Sequence, residues 1–208
     1  AQDIIEKYAV LVNLSAPSLA AILKSAKSGD IDMEDWAPAI KEVRLLLEND
    51  QFPRFRRSET YLTFLELILP REDAEIWSSN FDKLLANAVG RHHFRLFLRS
   101  IRAEENLRLW DAVVEFRVLM STKKKTELKS MMTLAKDIIS IFLREGANEV
   151  YLPYSIKEKI ERRVANGLVA IDLFDEAIRH IEQALRNDPY VRFLLSPEYK
   201  NLCAKLTR

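Results

Sequence analysis

The stretch FRLFLRSIRAEENLRLW, residues 94–110, decides the fold class of this chain. Phe94, Phe97, Leu98 and Ile101 recur at spacings of three and four, which lays one apolar stripe along a first helix. Arg102 and Ala103 interrupt that pattern. Glu104 and Glu105 then stand where a second helix begins, with their charge toward the positive end of its dipole, and Leu107, Trp110 and Val114 supply its buried face. Glu105 and Asn106 are thereby held at a helix start between apolar anchors, either as a structural cap or as a contact surface.

Helical spacing continues on both sides. Only four glycines occur in 208 residues, each standing alone, whereas strands, hairpins and phosphate loops all lean on glycine. An all-α protein is expected, with no Walker loop and no dinucleotide fingerprint, so any nucleotide must be carried by a partner. At 48% hydrophobic residues the chain can bury a core. Lys plus Arg number 32 against 31 Asp plus Glu, a net charge of +1 that argues against nucleic acid or an anionic membrane as partner. The single cysteine, Cys203, excludes an intrachain disulfide. No run approaches the roughly 18 apolar residues of a membrane span, and AQDIIEKYAV carries acids where a signal peptide has bases, so a cytoplasmic location is expected.

Along the chain, two short helical pieces are expected over about residues 1–25, separated at Ser15-Ala-Pro17 and closed by Lys27-Ser-Gly29-Asp30. A helix over 34–48 should turn Trp36, Ile40, Val43, Leu46 and Leu47 inward, and Ser58 should cap the helix that follows. Pro70-Arg-Glu-Asp73 reads as a linker. Ser78-Ser79-Asn80 is a cap cluster ahead of a short helix that closes near Gly90. After the opening stretch come a polar loop at 121–126, a long helix marked by Leu128 to Phe142 and ending near Gly146, an extended Val150-Tyr151-Leu152-Pro153, and a helix stopped by Asn166-Gly167. Asp188-Pro189 and Ser196-Pro197 each pair an N-cap residue with a proline at the first helical position.

The chain also repeats itself at a constant offset, 188 − 50 = 138. Asp50 matches Asp188, Arg54 matches Arg192, Phe55 matches Phe193, Ser58 matches Ser196 and Tyr61 matches Tyr199; further back, Trp36 matches Phe174 and Ile22 matches Ile160. Nothing in residues 1–74 matches residues 77–110. The first copy therefore reads as a back half, whose apolar face should pack on the second copy or on another chain.

Catalytic chemistry has little to work with. Glu104 and Glu105 are adjacent on a helix and point about 100° apart, so they do not form an acid–base pair. His92, His93 and His180 lack metal-ligand spacing, and Cys203 has no base beside it, so no catalytic residue, metal or cofactor is expected.

From Trp77 to Leu206 the chain resembles the regulator-of-G-protein-signalling (RGS) domain. The carriers are Trp77, Phe81, Leu84 and Leu85; Gly90-Arg91; Phe94 to Leu98; Glu104-Glu105-Asn106-Leu107 to Trp110; Phe174 to Ala177; and Asp188-Pro-Tyr-Val-Arg192-Phe193-Leu194. The resemblance implies an all-α, RGS-type nine-helix fold, a four-helix bundle plus a terminal helical subdomain, over residues 75–208. The C-terminal half of another such repeat would precede it over residues 1–70, with self-association through that half as one outcome. It also implies binding to the GTP-bound α subunit of a heterotrimeric G protein (Gα) at its switch regions. Such a protein is not an enzyme in its own right. It accelerates the partner's GTP hydrolysis by holding the partner's own catalytic groups in place, and it meets the inner face of the plasma membrane through that partner. The family's contact surface falls on Arg102, Ala103, Glu105, Asn106, Tyr151, Ala184, Asp188 and Arg192. Glu105, Asn106, Asp188 and Arg192 agree with the family pattern. The family commonly has an aromatic and a serine at 102 and 103, Asn or Ser at 151, and a larger apolar residue at 184. Those departures leave a second expectation, an RGS-fold interaction module without GTPase acceleration.

Overall fold

The computed structural model describes every residue except 1, 9–11, 13, 29–31, 123–127, 147 and 207–208. The Gly29 stop and residues 123–126 of the polar loop lie outside the described residues. Within them the chain is all-α, without a strand. The backbone divides into two compact units, Ala1–Leu65 and Glu66–Arg208.

The first unit carries α1 (Gln2–Tyr8), α2 (Ala16–Ser28), α3 (Met33–Leu46), a π-helical turn (Leu47–Gln51), α4 (Phe52–Arg56) and the start of α5 (Glu59–Leu67). Its helices pair through caps. Glu42 of α3 accepts hydrogen bonds from the Ser15 N–H at 2.8 Å, the Ser15 hydroxyl at 2.6 Å and the Ser18 hydroxyl at 2.7 Å, and so satisfies the start of α2 from the neighbouring helix. Hydrogen bonding from Ser15 holds that carboxyl below its usual pKa. Ser58 caps α5, as expected, by accepting from the Tyr61 N–H at 3.2 Å. The inward face expected for α3 is corrected: Ala39 is its only buried residue among those described, Trp36 and Val43 are half-buried, and Ile40, Leu46 and Leu47 are exposed. Within this unit the long face of α3 has α2 to pack on, which is too little cover for a full amphipathic stripe.

The second unit holds nine helices among the described residues: α6 (Arg71–Trp77), α7 (Phe81–Ala86), α8 (Ala88–Ser100), α9 (Glu104–Thr122), α10 (Leu128–Phe142), α11 (Tyr154–Ala165), α12 (Asp175–Asn187), α13 (Pro189–Leu195) and α14 (Pro197–Lys205). Helices α9 to α12 each pack on the next, and α12 closes the ring against α9. Their shared core includes Leu109, Val113, Phe116, Ile138, Phe142, Phe174 and Ile181. Leu107, Leu109, Val113 and Phe116 form the buried face of α9, while Trp110 and Val114 are half-buried, because α9 is flanked by α10, α12 and α8 and the buried arc turns toward all three.

The remaining helices form a second layer with an aromatic centre. Phe193 meets Phe94, Phe97 and Tyr199 at centroid distances of 5.3, 5.7 and 5.2 Å, and Phe81 meets Tyr190 at 5.0 Å. The Tyr199 hydroxyl donates to the Ala74 carbonyl at 2.8 Å and the Tyr190 hydroxyl to that of Trp77, so the last two helices of the unit are tied to α6, its first. Burial pushes both phenols above their usual pKa. Two local expectations are corrected here. Arg71 to Asp73 are the first turn of α6, entered from an extended Pro70, and not a linker. Gly90 sits inside the first turn of α8, after an Asn87 cap, instead of closing α7. A Cβ there would lie 3.0 Å from the Leu84 carbonyl oxygen and 3.1 Å from Trp77, so the close approach of α8 to α7 requires glycine.

The 138-residue offset recurs in the helix bounds: 154 − 16 = 138 for the starts of α11 and α2, and 197 − 59 = 138 for those of α14 and α5. Burial differs between the copies. Phe193 and Leu202 are 0% and 1% exposed, whereas Phe55 and Phe64 at the matching positions are 47% and 54% exposed.

Candidate protein-docking surface

The corner between α8 and α9 is built by backbone hydrogen bonds. The Ala103 N–H donates to the Leu98 carbonyl at 2.9 Å and the Arg102 N–H to that of Arg99 at 3.2 Å, which turns the chain through a left-handed residue, Arg102, at φ 56. Across the corner the Arg99 guanidinium grips Glu104 with two bonds of 2.8 and 2.9 Å. That bond from Arg99 holds the Glu104 carboxyl below its usual pKa, against partial burial, with Arg95 and Arg108 adding to it. Glu104 is thus committed to the fold. Its neighbours are less bound: Glu105 and Asn106 are half-buried at the first turn of α9, and the Asn106 amide makes only a 3.5 Å contact to Glu105.

Two long-range bonds bring other segments to this end of α9. Arg108 donates to Asn148, in the loop that carries Tyr151, and the Trp110 indole N–H donates to Glu182 of α12 at 2.8 Å, two residues before Ala184. At a rise of about 1.5 Å per residue, both bonds fall within the first two turns of α9. On the far side of the loop Lys157 bonds Glu149 at 2.7 Å. Between these ties, buried Val150 and Leu152 turn Tyr151 outward until it is 86% exposed, the alternation of an extended strand. Ala184 is exposed on α12, and α13 packs on α8 through Phe193, one residue after Arg192.

The eight expected residues therefore lie at the α8–α9 corner, on the Tyr151 loop and α12, which these bonds tie to the first turns of α9, and at the start of α13, which packs on α8. Among the described side chains, only Glu105 with Asn106 and Asp188 with Arg192 bond to each other within the set. Asp188 is a correction. Its side chain makes no cap bond; it accepts instead from Arg192 at 3.4 Å, one turn on, since φ −129 and ψ −64 aim it away from the helix start. The matching Asp50 accepts from Arg54 at 2.5 Å in the same way. Sequence spacing offered no sign of Arg108 or Trp110 as ties, because their partners lie 40 and 72 residues away.

Residues 80–202 match the profile of the Regulator of G protein signaling domain. The chain belongs to the RGS domain family. It is 56% identical over 207 residues to a Caenorhabditis elegans protein named Regulator of G-protein signaling rgs-3, covering 99% of this chain and 56% of that one. It is 34% identical over 136 residues to Regulator of G-protein signaling 20 of Bos taurus, 65% of this chain and 34% of that one. With the human Regulator of G-protein signaling 21 it shares 34% over 134 residues, 64% of this chain and 83% of that one. The chain thus spans about half of the nematode relative's length. The RGS match covers α7 to most of α14, the unit that holds the α8–α9 corner. No helix of the described residues is long and apolar enough to cross a membrane.

Proposed function

We propose that the RGS unit binds the GTP-bound α subunit of a heterotrimeric G protein at its switch regions and accelerates GTP hydrolysis, attenuating signalling at the inner face of the plasma membrane. The observation that carries this is the braced start of α9: Glu104 is locked by Arg99 while Glu105 and Asn106 are left without a strong internal partner. A rigid scaffold with weakly engaged polar tips suits transition-state stabilisation by position, where the protein donates no catalytic group and the partner's nucleotide site does the chemistry. Arg102, Ala103, Tyr151, Ala184, Asp188 and Arg192 complete the contact. In single-turnover GTPase assays across Gα classes, Asn106→Ala should lower the acceleration by roughly 10–100-fold, the worth of a lost polar contact of about 1.4–2.8 kcal/mol. Unaltered hydrolysis of every Gα by the wild-type protein would refute acceleration.

A second function is favoured by Tyr151, whose exposed ring carries no amide to meet the partner. It is an interaction module that binds Gα without acceleration. Such a module would bind the GDP form and the transition-state-mimicking form of Gα equally, which separates the two.

We further infer that residues 1–70 are the back half of another RGS-like repeat, with the complete domain over 75–208. The 138-residue offset shared by two pairs of helix starts supports it, and so does the exposure of Phe55 and Phe64, whose counterparts in the second unit are buried. Self-association through that face predicts a concentration-dependent mass in light scattering; a monomer at all concentrations would exclude it.

A further inference from the structure

Arg102 stands where the backbone asks for glycine. Helix α8 ends in a Schellman arrangement, with the residue after the C-cap Ile101 left-handed at φ 56. Helix α11 ends the same way: Leu168 N–H donates to Arg163 at 2.8 Å, Gly167 N–H to Val164 at 3.1 Å, and the left-handed residue is Gly167 at φ 74. In an L residue this conformation drives Cβ toward the following carbonyl, a strain that glycine escapes. Among the described residues Arg102 alone of the non-glycines has a positive φ.

The two backbone hydrogen bonds of the turn offset part of that strain, and the Arg102 side chain adds nothing to them inside the fold. Arg102 is exposed, and among the described residues its guanidinium has no ion pair or hydrogen bond. The cations around it are engaged: Arg99 with Glu104, Arg95 with Asp111, Arg108 with Asn148. The nearest carboxylate along the chain, Glu104, is already held by Arg99. The neighbouring Ala103 is small and leaves the guanidinium unobstructed. Strain of this kind persists at sites where the side chain acts on something outside the fold.

We propose that Arg102 is a specificity-determining residue that reads charge: it selects, among Gα subunits, those that place a carboxylate opposite the α8–α9 corner. The proposal rests on the Gα partnership above and adds its chemical criterion. An unpaired cation at the rim of an interface acts mainly on the association rate and its salt dependence.

The test uses the whole chain with Arg102→Gly and Arg102→Lys, against a panel of Gα subunits in their GDP–aluminium fluoride form. Arg102→Gly should raise the thermal midpoint by roughly 2–4 °C. It should also slow association with the preferred Gα by about 3–10-fold and flatten its salt dependence, while Arg102→Lys keeps most of both. Carboxylate-to-amide substitutions across the switch surface of that Gα should include one that removes the difference between wild type and Arg102→Gly. An unchanged midpoint would overturn the strain argument, and equal rates and salt slopes across the panel, or no coupled carboxylate, would overturn the charge criterion. If Asn106→Ala weakens binding but Arg102→Gly does not, only this inference fails. If the wild type binds no Gα, the partnership itself fails and takes this inference with it.

Discussion

Phe193→Ala and Phe55→Ala remove the same side chain from the same position of the 138-residue repeat, and they should differ widely in effect. Phe193 is 0% exposed and touches Phe94, Phe97 and Tyr199 at ring distances of 5.2 to 5.7 Å. Truncating a buried phenylalanine costs about 3–5 kcal/mol, from lost transfer energy and from the cavity that rigid aromatic neighbours leave behind. Phe55 is 47% exposed and keeps two ring partners, Tyr61 at 5.0 Å and Phe52 at 6.5 Å. About half its transfer energy is already forgone, so its truncation should cost about 1 kcal/mol. The second unit would lose roughly 6–20 °C of thermal midpoint at about 2–4 °C per kcal/mol, and the Phe55 variant only a few degrees. Urea unfolding followed by tryptophan fluorescence and by circular dichroism measures both, with coincident curves required before a single free energy is assigned. The Phe193 variant should also lose Gα binding, because α13 carries Arg192 against α8. Equal costs at the two positions would refute the claim that the first copy leaves this face uncovered.

Two further outcomes follow from the corner. Arg108→Ala should leave stability within about 0.5–1 kcal/mol, since the residue is exposed, yet loosen the Tyr151 loop; hydrogen exchange at Val150 and Leu152 would accelerate, and protection equal to wild type would show that the Asn148 tie is dispensable. Glu104 has a folded pKa below the ordinary carboxylate value of 4.5, so its contribution is present above that value and is lost only as pH falls through the lower, folded one. Glu104→Gln should therefore destabilise by about 0.5–1 kcal/mol from about pH 8 down to about pH 5, and the two proteins should converge below the carboxylate range; a constant difference down to pH 3 would reject the Arg99 pairing as its source.

Scarcity of glycine and the three-and-four spacing of Phe94, Phe97 and Leu98 were enough to settle the helical class, because those signals act within a few residues of themselves. The start of α9 at Glu104, the Ser58 and Asn80 caps and the 138-residue offset are of the same local kind, and so are legible in the chain. What turns inward is another matter. Helix α3 carries a full apolar stripe in sequence yet buries one residue among those described, since burial depends on what lies opposite. The proposed docking edge divides along the same line. Its Glu105, Asn106, Asp188 and Arg192 are visible as motif residues. The pairing of Asp188 with Arg192 follows from their i,i+4 spacing. Tertiary structure alone decides that Asp188 makes no cap bond, that Arg108 and Trp110 draw two distant segments to the start of α9, and that Arg102 takes a left-handed backbone. Each of these is set by atoms many residues away or by the closure of a turn against a packed helix, and no spacing rule along the chain encodes them.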